Sequence, residues 1–488
     1  MCGIIGVRGG SAPIRHVVNG LGAIQNRGSQ SCGIAAWLPP DVLHYRGSGT
    51  IPERIPGFFF DETQADVGWD KAKVAIGHVR YATQGSVTME NAAPFWVRSP
   101  WREDKWILFA HNGDIPDMQT AYTRVTERGY RPQGTSDGEI MAADLLWHHS
   151  KCGNWIDAIT AFQAETQAAY SLVFLTSSGE LYAARDPWGV RPMCLGRIGG
   201  DTYVVASESA AIERIGGCLS AIPAHGAIVQ VTDDGFVLHQ GQQAMPHLCG
   251  FEAAYLANPR SQLFGPSNPT VLRIRRRLGA RLGELYDGPL DVVAPVPNSG
   301  IDFAIGLARA KGVVFDEIVI RDLYTLTRSF QQTSPAQRAH TTQEKLWIDE
   351  QSEWLQGATI ALVDDSIVRG TVSREVIRSL RQAGAAKIYF FSAWPPFRHP
   401  CHLGVDARAD LIASNRDVEQ IRSDLGADGL FYLEEAVIRE EYRRAGGQDS
   451  LCMACVNGQS PIPVPADGSI HTLDSHEQLL RCAVGPLE

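Results

Sequence analysis

The sequence reads as two folds in series: an α+β half with its strands stacked in two layers, then an α/β half built on a parallel sheet. In the first half, short β-type runs such as CGIIGV, KVAIGHVRYA, WILFAHNGDI and YSLVFLT are punctuated by Gly, Pro and Asn, with few helical patterns between them. After Met245 the pattern changes. LDVVAPVP, ATIALVDDS, KIYFFSAWPP and ADLIAS are apolar runs separated by helical patterns, including Val372–Ala383, which Gly384 ends. Strands alternating with helices predict a parallel sheet with ligands at its C-terminal strand ends. The expected divisions are residues 2–245, residues 246–445, and a Gly- and Pro-rich tail over 446–488 that carries a CxxC.

Composition narrows the function. Apolar residues make up 44% of the 488 and charged residues 20%, the balance of a soluble globular protein with a large core. The formal charge of −10 is spread along the chain, which argues against nucleic acid as a partner, because phosphate-backbone binding needs a basic footprint. The opening MCGIIGVRGG does not read as a signal peptide, and no apolar run reaches the roughly 18 residues of a membrane span. Ten cysteines are too few for a disulfide scaffold at this length, so a reducing, cytoplasmic setting is expected.

Cys2 follows the initiator Met directly. Removal of Met1 leaves a cysteine with a free α-amino group, whose reference pKa of about 7.7–8.0 lets it act as base for its own thiol. Alone, this residue reads first as a small apolar cysteine at an ordinary N-terminus. The ordered set CGIIGV, GHVRYAT, HNGDI and TSDGE resembles the N-terminal-nucleophile glutamine amidotransferases. The resemblance implies an N-terminal-nucleophile hydrolase fold in which Cys2 attacks the glutamine side-chain amide, forms a thioester and releases ammonia. It implies that Asn112 and the Gly113 backbone N–H form the oxyanion hole, where donors must already be aimed at developing charge. Arg80 would hold the substrate α-carboxylate as a two-pronged donor, Asp137 would hold its ammonium, and Arg27 would lie near the nucleophile. One departure stands in RGSQSCGI, where Ser29 and Gln30 replace the glutamine and acid of the family pattern and Cys32 replaces alanine. Altered support of the site, not lost chemistry, is expected from it.

In the second half, ALVDDSIVRGTVS (Ala361–Ser373) delivers two carboxylates from an apolar strand into a short polar loop and then a helix. Asp364 and Asp365 can hold ribose hydroxyls or Mg²⁺, and the backbone N–H groups that follow can cradle a phosphate at the helix N-terminus. Gly370 lets the backbone approach that ligand. A bare DDS is also an ordinary acidic helix cap. The complete VDDSIVRGT resembles the phosphoribosyl pyrophosphate loop of type I phosphoribosyltransferases, most closely that of the amidophosphoribosyltransferases. This implies that Asp364, Asp365, Ser366, Arg369, Gly370 and Thr371 bind the sugar phosphate. By the same resemblance Ser299 in PVPNSG approaches the metal with Asp364 and Asp365, and Lys345 meets the pyrophosphate. RSFQQTSPAQR (Arg328–Arg338) resembles the family's mobile loop, and RDPWGVRP and ASES match its interdomain half. Departures are Asn298 for an acid, Val372 for a threonine and His340 for an arginine, and fewer cations imply weaker stabilisation of pyrophosphate.

Cys249, Cys401, Cys452 and Cys455 lie in HLCGFE, RHPCHLGVD and CMACVNG. These segments resemble the places where one branch of the family ligates a [4Fe–4S] cluster, and a CxxC puts two thiolates on one ion or cluster. Zn²⁺ is the alternative, since thiolates alone do not choose the metal. The resemblance as a whole implies transfer of ammonia from glutamine to Mg²⁺-bound phosphoribosyl pyrophosphate, giving 5-phosphoribosylamine, glutamate and pyrophosphate at the entry to purine synthesis. It also implies inhibition by purine nucleotides and a homodimer or homotetramer. Three other readings compete. They are a specialised paralogue with a related phosphoribosyl acceptor, a glucosamine-6-phosphate synthase-like enzyme, which VDDSIVRGT opposes, and a non-catalytic sensor of the sugar phosphate.

Overall fold

The early strands, buried on both faces, build two antiparallel sheets that face each other. The computed structural model describes residues 2–54, 71–82, 85–322 and 346–465. Edge to edge, the first sheet runs Cys218–Ala221, Cys194–Ile198, Thr202–Ala206, Gly3–Gly9, Val74–Arg80, Ser31–Leu38 and Asp41–Ser48. The second runs Gly235–Gln240, Ala227–Thr232, Leu181–Arg185, Ala169–Thr176, Trp106–Asp114 and Phe95–Arg98. Ile4, Ile76, Leu108, Val173 and Val205 pack between the two. Because side chains alternate faces along a strand, the neighbours of these residues point outward to a helix layer on each side. Pro13–Ala23 and Ser209–Arg214 cover the first sheet, while Asp137–Cys152 and Trp155–Glu165 cover the second. The result is a four-layer αββα sandwich.

The second half holds a five-stranded sheet in the order Val314–Phe315, Val292–Pro295, Thr359–Asp364, Lys387–Ser392 and Gly429–Tyr432, with every pairing parallel. Both faces are covered, so its strands are apolar throughout rather than alternating. In Thr359–Asp364, Ala361 and Val363 face the core shared with helices Val271–Gly283 and Ile301–Lys311, and Ile360 and Leu362 face that of helices Thr371–Gln382 and Val418–Leu425. A two-residue parallel pairing, Leu248↔Leu451 and Cys249↔Cys452, stitches the segment after the sandwich to the segment after the last long helix. No described helix is long and apolar enough to cross a membrane.

Candidate active sites

Cys2 lies just ahead of the strand Gly3–Gly9 and is buried. Its backbone N donates to Asn112 Oδ1 at 3.3 Å, and its thiol donates to the Tyr81 carbonyl at 3.5 Å. Asn112 is fully buried and its Nδ2 has no partner, so a donor stands ready beside the nucleophile. Gly113 lines the same cleft as Cys2, Arg80, His111 and Asp137. A Cβ there would come within 1.9 Å of the Ala169 carbonyl, so only glycine fits the strand pair at this point.

Asp137 opens the helix Asp137–Cys152 and accepts from its own next backbone N–H, Gly138 N, at 3.0 Å. His111 Nε2 pairs with Asp137 Oδ2 at 3.1 Å, and His78 Nε2 meets the His111 carbonyl at 3.0 Å. Burial and then the positive neighbours His111 and Arg80 push His78 down to about 3, so it is neutral. Burial would also discharge His111, but Asp137 beside it overrides that and raises its pKa. Burial works against the Asp137 charge, and His111 and Arg80 outweigh it, holding the carboxyl low. Arg80 lines the same cleft and is buried, which lowers its pKa against the opposing charge of Asp137, and its Nη1 donates to the Ser86 carbonyl at 3.1 Å.

Arg27 supports this site instead of lining it. Its Nε donates to the Cys2 carbonyl at 2.8 Å, while its other nitrogens pair with Glu208 at 2.6 Å and Glu252 at 2.9 Å. All three side chains are fully buried. Burial opposes the Arg27 charge, and Glu252 and Glu208 more than offset it, so the guanidinium stays charged. Gln30 occupies the departure noted above. It links Arg80 O to its own backbone N at 3.1 Å, and its side-chain oxygen accepts from Ala82 N at 2.5 Å, tying down the strand end that carries Arg80 and Tyr81.

In the second half, Asp364 ends its strand and Asp365 follows, both buried. Ser299 Oγ donates to Asp364 Oδ1 at 3.4 Å and Ser366 Oγ to Asp365 Oδ2 at 2.6 Å. Burial raises both carboxyls, and for Asp364 the neighbouring Asp365 adds to it. A cation beside them would relieve that strain, so the donor set Ser299, Asp364 and Asp365 fits a hard divalent ion. Gly370 has φ +73° and caps the helix that begins at Thr371, which puts free backbone N–H groups at the loop. Arg369 Nε is buried without a partner. Lys345, His340 and the segment Arg328–Arg338 lie outside the described residues.

Residues 68–189 match the family model of class-II glutamine amidotransferases. The chain is 34% identical to the amidophosphoribosyltransferase of Methanothermobacter thermautotrophicus over 489 residues, covering 99% of this chain and 98% of that one. The corresponding protein of Synechococcus elongatus is 33% identical, over 96% of this chain and 92% of its own. The chain belongs to the amidophosphoribosyltransferase family. The solved glutamine phosphoribosylpyrophosphate amidotransferase of Bacillus subtilis, complexed with ADP and GMP, superposes with a TM-score of 0.84 at 31% identity. That match covers 96% of this chain and 99% of the other.

Within this amidophosphoribosyltransferase-family chain, Cys249, Cys401, Cys452 and Cys455 line one cavity with Arg191. The nine described cysteines are all free thiols. Burial raises Cys452 to about 11 and lifts Cys249 and Cys455 further, each thiol adding to its neighbours. Arg191 is fully buried, and its Nε and Nη2 have no partner. A cation with orphaned donors beside four thiols fits a group of net negative charge. Among the described residues, only Asp144, His148 and Glu165 bring three ligand atoms within 4.8 Å of one another. No three of the four sulfurs therefore lie within 4.8 Å of one another. Asp144 and Glu165 are occupied otherwise: Asp144 pairs with Arg124 at 2.7 Å, and Arg128 pairs with Glu165 at 2.5 Å and with Asp144.

Sequence reasoning missed several participants. His78 and His111 sit inside GHVRYAT and HNGDI, and a histidine alternating inward on an apolar strand was the available signal. Tyr81, Glu208 and Glu252 sit inside GHVRYAT, ASES and HLCGFE, but the sequence does not show their partners, because their contacts join residues remote in sequence.

Proposed function

We propose that this chain transfers ammonia from glutamine to 5-phosphoribosyl 1-pyrophosphate, giving 5-phosphoribosylamine, glutamate and pyrophosphate, the first step of purine synthesis. The observation that carries it is the hydrogen bond from Cys2 N to Asn112 Oδ1, which leaves Asn112 Nδ2 orphaned beside the nucleophile, in a chain that also presents the buried Asp364–Asp365 loop. The α-amino group of Cys2, freed of Met1 and oriented by Asn112 Oδ1, takes the thiol proton as sulfur attacks the amide carbon. Asn112 Nδ2 and the Gly113 N–H receive the oxyanion. Arg80 and Asp137 hold the two ends of the amino acid, with His111 fixing the Asp137 carboxylate. Arg27 fixes the Cys2 carbonyl and acts by positioning.

At the second site, Ser366, Arg369, Gly370 and Thr371 hold the 5′-phosphate end and Asp364 and Asp365 the ribose hydroxyls, with Lys345 on the pyrophosphate. Ser299, Asp364 and Asp365 would hold Mg²⁺, which when bound neutralises charge on the departing pyrophosphate. The four thiols would hold a [4Fe–4S] cluster in preference to zinc, with Arg191 as its counter-charge. Such a group staples the segments around Cys249 and Cys452 together. We further propose domain limits of 2–245, 246–445 and 446–488, a cytoplasmic homodimer or homotetramer, and inhibition by purine nucleotides. The solved Bacillus subtilis relative with ADP and GMP supports that last point. No observation favours the paralogue or sensor readings.

The test is glutamate release from glutamine with and without Mg²⁺ and the sugar phosphate, on anaerobically purified protein, with pyrophosphate followed in parallel. Matched release that Cys2→Ala abolishes is expected. Glutamate release indifferent to the sugar phosphate would reject the acceptor.

A further inference from the structure

Among the described residues, Trp394 is the bulkiest side chain that is fully buried, and its indole Nε1 has no hydrogen-bond partner. A buried tryptophan N–H ordinarily has one. The ring touches both segments that the paired Cys249 and Cys452 strands bring together. It packs edge-on against Phe251 at 5.1 Å, and a Cβ at Gly250 would come within 2.9 Å of Trp394 Cη2. Its N–H faces the Cys455 sulfur: burial and then Cys401, Cys249 and Cys452 disfavour a thiolate there, and the Trp394 N–H favours it. Ser392 Oγ donates to the Trp394 carbonyl at 2.8 Å, while Arg398 N and His399 N donate to the Cys455 carbonyl at 2.9 and 3.1 Å. One short run after the strand Lys387–Ser392 therefore meets Cys455 at its backbone and at its sulfur.

We infer that Trp394 is a positioning residue of the four-thiol site, its indole N–H reserved for the Cys455 sulfur once that sulfur is a ligand. The inference rests on the cluster reading proposed above. A thiol is a weak acceptor and a thiolate a strong one. Ligation releases the Cys455 proton to solvent and leaves a charged sulfur, which completes the bond that the resting thiol leaves unmade. Arg191, with its own orphaned donors, stands in the same relation to Cys249 and Cys401. Cys455 is partly exposed, whereas the other three cysteines are buried. It is thus the corner where water competes with ligation, and an outer donor matters most there.

The test uses the full chain, loaded with iron and sulfide without oxygen, and follows iron release to a chelator by absorbance. Trp394→Phe keeps an aromatic ring and removes the N–H, and we expect release about ten-fold faster or more. Phe397→Leu is the packing control. It disturbs the same buried aromatic group, 6.4 Å away between ring centres, removes no donor, and should release iron at the wild-type rate. In wild-type protein carrying 15N-tryptophan, one of the eleven indole N–H signals should shift on loading, the one that Trp394→Phe removes. Release from Trp394→Phe at the wild-type rate, or equal acceleration in Phe397→Leu, overturns the inference. Should Trp394→Phe not fold, eleven indole signals unmoved by loading overturn it instead. A wild-type chain that takes up no iron overturns the cluster reading on which it rests.

Discussion

The two ends of the Asn112 amide face different tasks. Its carbonyl oxygen accepts from Cys2 N, and its Nδ2 stays buried and unpaired. An unpaired buried donor costs roughly 1–3 kcal/mol in the resting protein, which is recovered only when an oxyanion forms opposite it. Asn112→Ala is therefore predicted to lower kcat for glutamate release by about 10²–10³-fold with a smaller change in KM, read by steady-state kinetics; a kcat within a few-fold of wild type would remove Asn112 from the oxyanion hole. The neighbouring histidines make a separate prediction for stability. His78 is held at about 3, below its unfolded value, so its contribution is complete above about pH 6.5 and is lost as pH falls, by up to about 1.4 kcal/mol per pH unit. His111 has the opposite sign, since its raised value makes its contribution complete below about pH 6.5 and lost as pH rises through the folded value. Asp137, held low, contributes above about pH 3.9 and loses this as pH falls through its folded value. Urea denaturation across pH should show His78→Gln flattening the acid limb, and His111→Gln removing the loss just above pH 6.5. Parallel slopes in mutant and wild type would count against both assignments.

Elements differ in how well the sequence announces them. The strand Thr359–Asp364 was legible because both its faces are covered, which leaves a continuous apolar run that stops at the first carboxylate. Its loop was legible too, since a residue at positive φ directly before a helix selects glycine. At Gly370 an alanine would adopt the left-handed region at a cost of about 1–2 kcal/mol. Gly370→Ala is thus expected to raise the KM for the sugar phosphate about ten-fold or more and to lower stability by that amount, checked by pyrophosphate release and chemical denaturation. The two-residue pairing of Leu248–Cys249 with Leu451–Cys452 was not legible as strand, because two residues carry no period and their partners are remote in sequence. What the sequence showed there was chemistry, four cysteines in recognisable surroundings. Cys249→Ser should reduce bound iron and acid-labile sulfide in protein prepared without oxygen, and lower the melting temperature. Metal content equal to wild type would remove Cys249 from the ligand set.

At the scale of the whole molecule, each half could be read separately, while the joint between them showed only as the family-like segments RDPWGVRP and ASES, without its pairings. Short β-type runs and turn residues mark the sandwich, and alternation of strand and helix marks the parallel sheet, since these patterns are local. The joint is made by single residues from distant segments, and such contacts leave no period in the chain. Glu252 is the clearest case: fully buried, it pairs with Arg27 at 2.9 Å and lies 3.4 Å from Arg191, so one carboxylate from the second half is shared by two guanidiniums of the first. Glu208 completes the network from the first half, accepting from Asn258 N at 2.7 Å and Ser261 Oγ at 2.6 Å. Glu252→Gln keeps the shape and removes the charge, leaving Arg27 and Arg191 buried with only Glu208 between them. Breaking a buried pair from one side costs about 3–5 kcal/mol, because the remaining charge is neither solvated nor compensated. Calorimetry should therefore show a lower melting temperature and a single transition that separates into two as the halves lose their joint. Arg27 also holds the Cys2 carbonyl, so the same variant should slow glutamate release more than ammonia-dependent pyrophosphate release. If the transition stayed single at the wild-type temperature, the joint would have to be carried by apolar packing, and Arg27 would be held at the nucleophile by Glu208 alone.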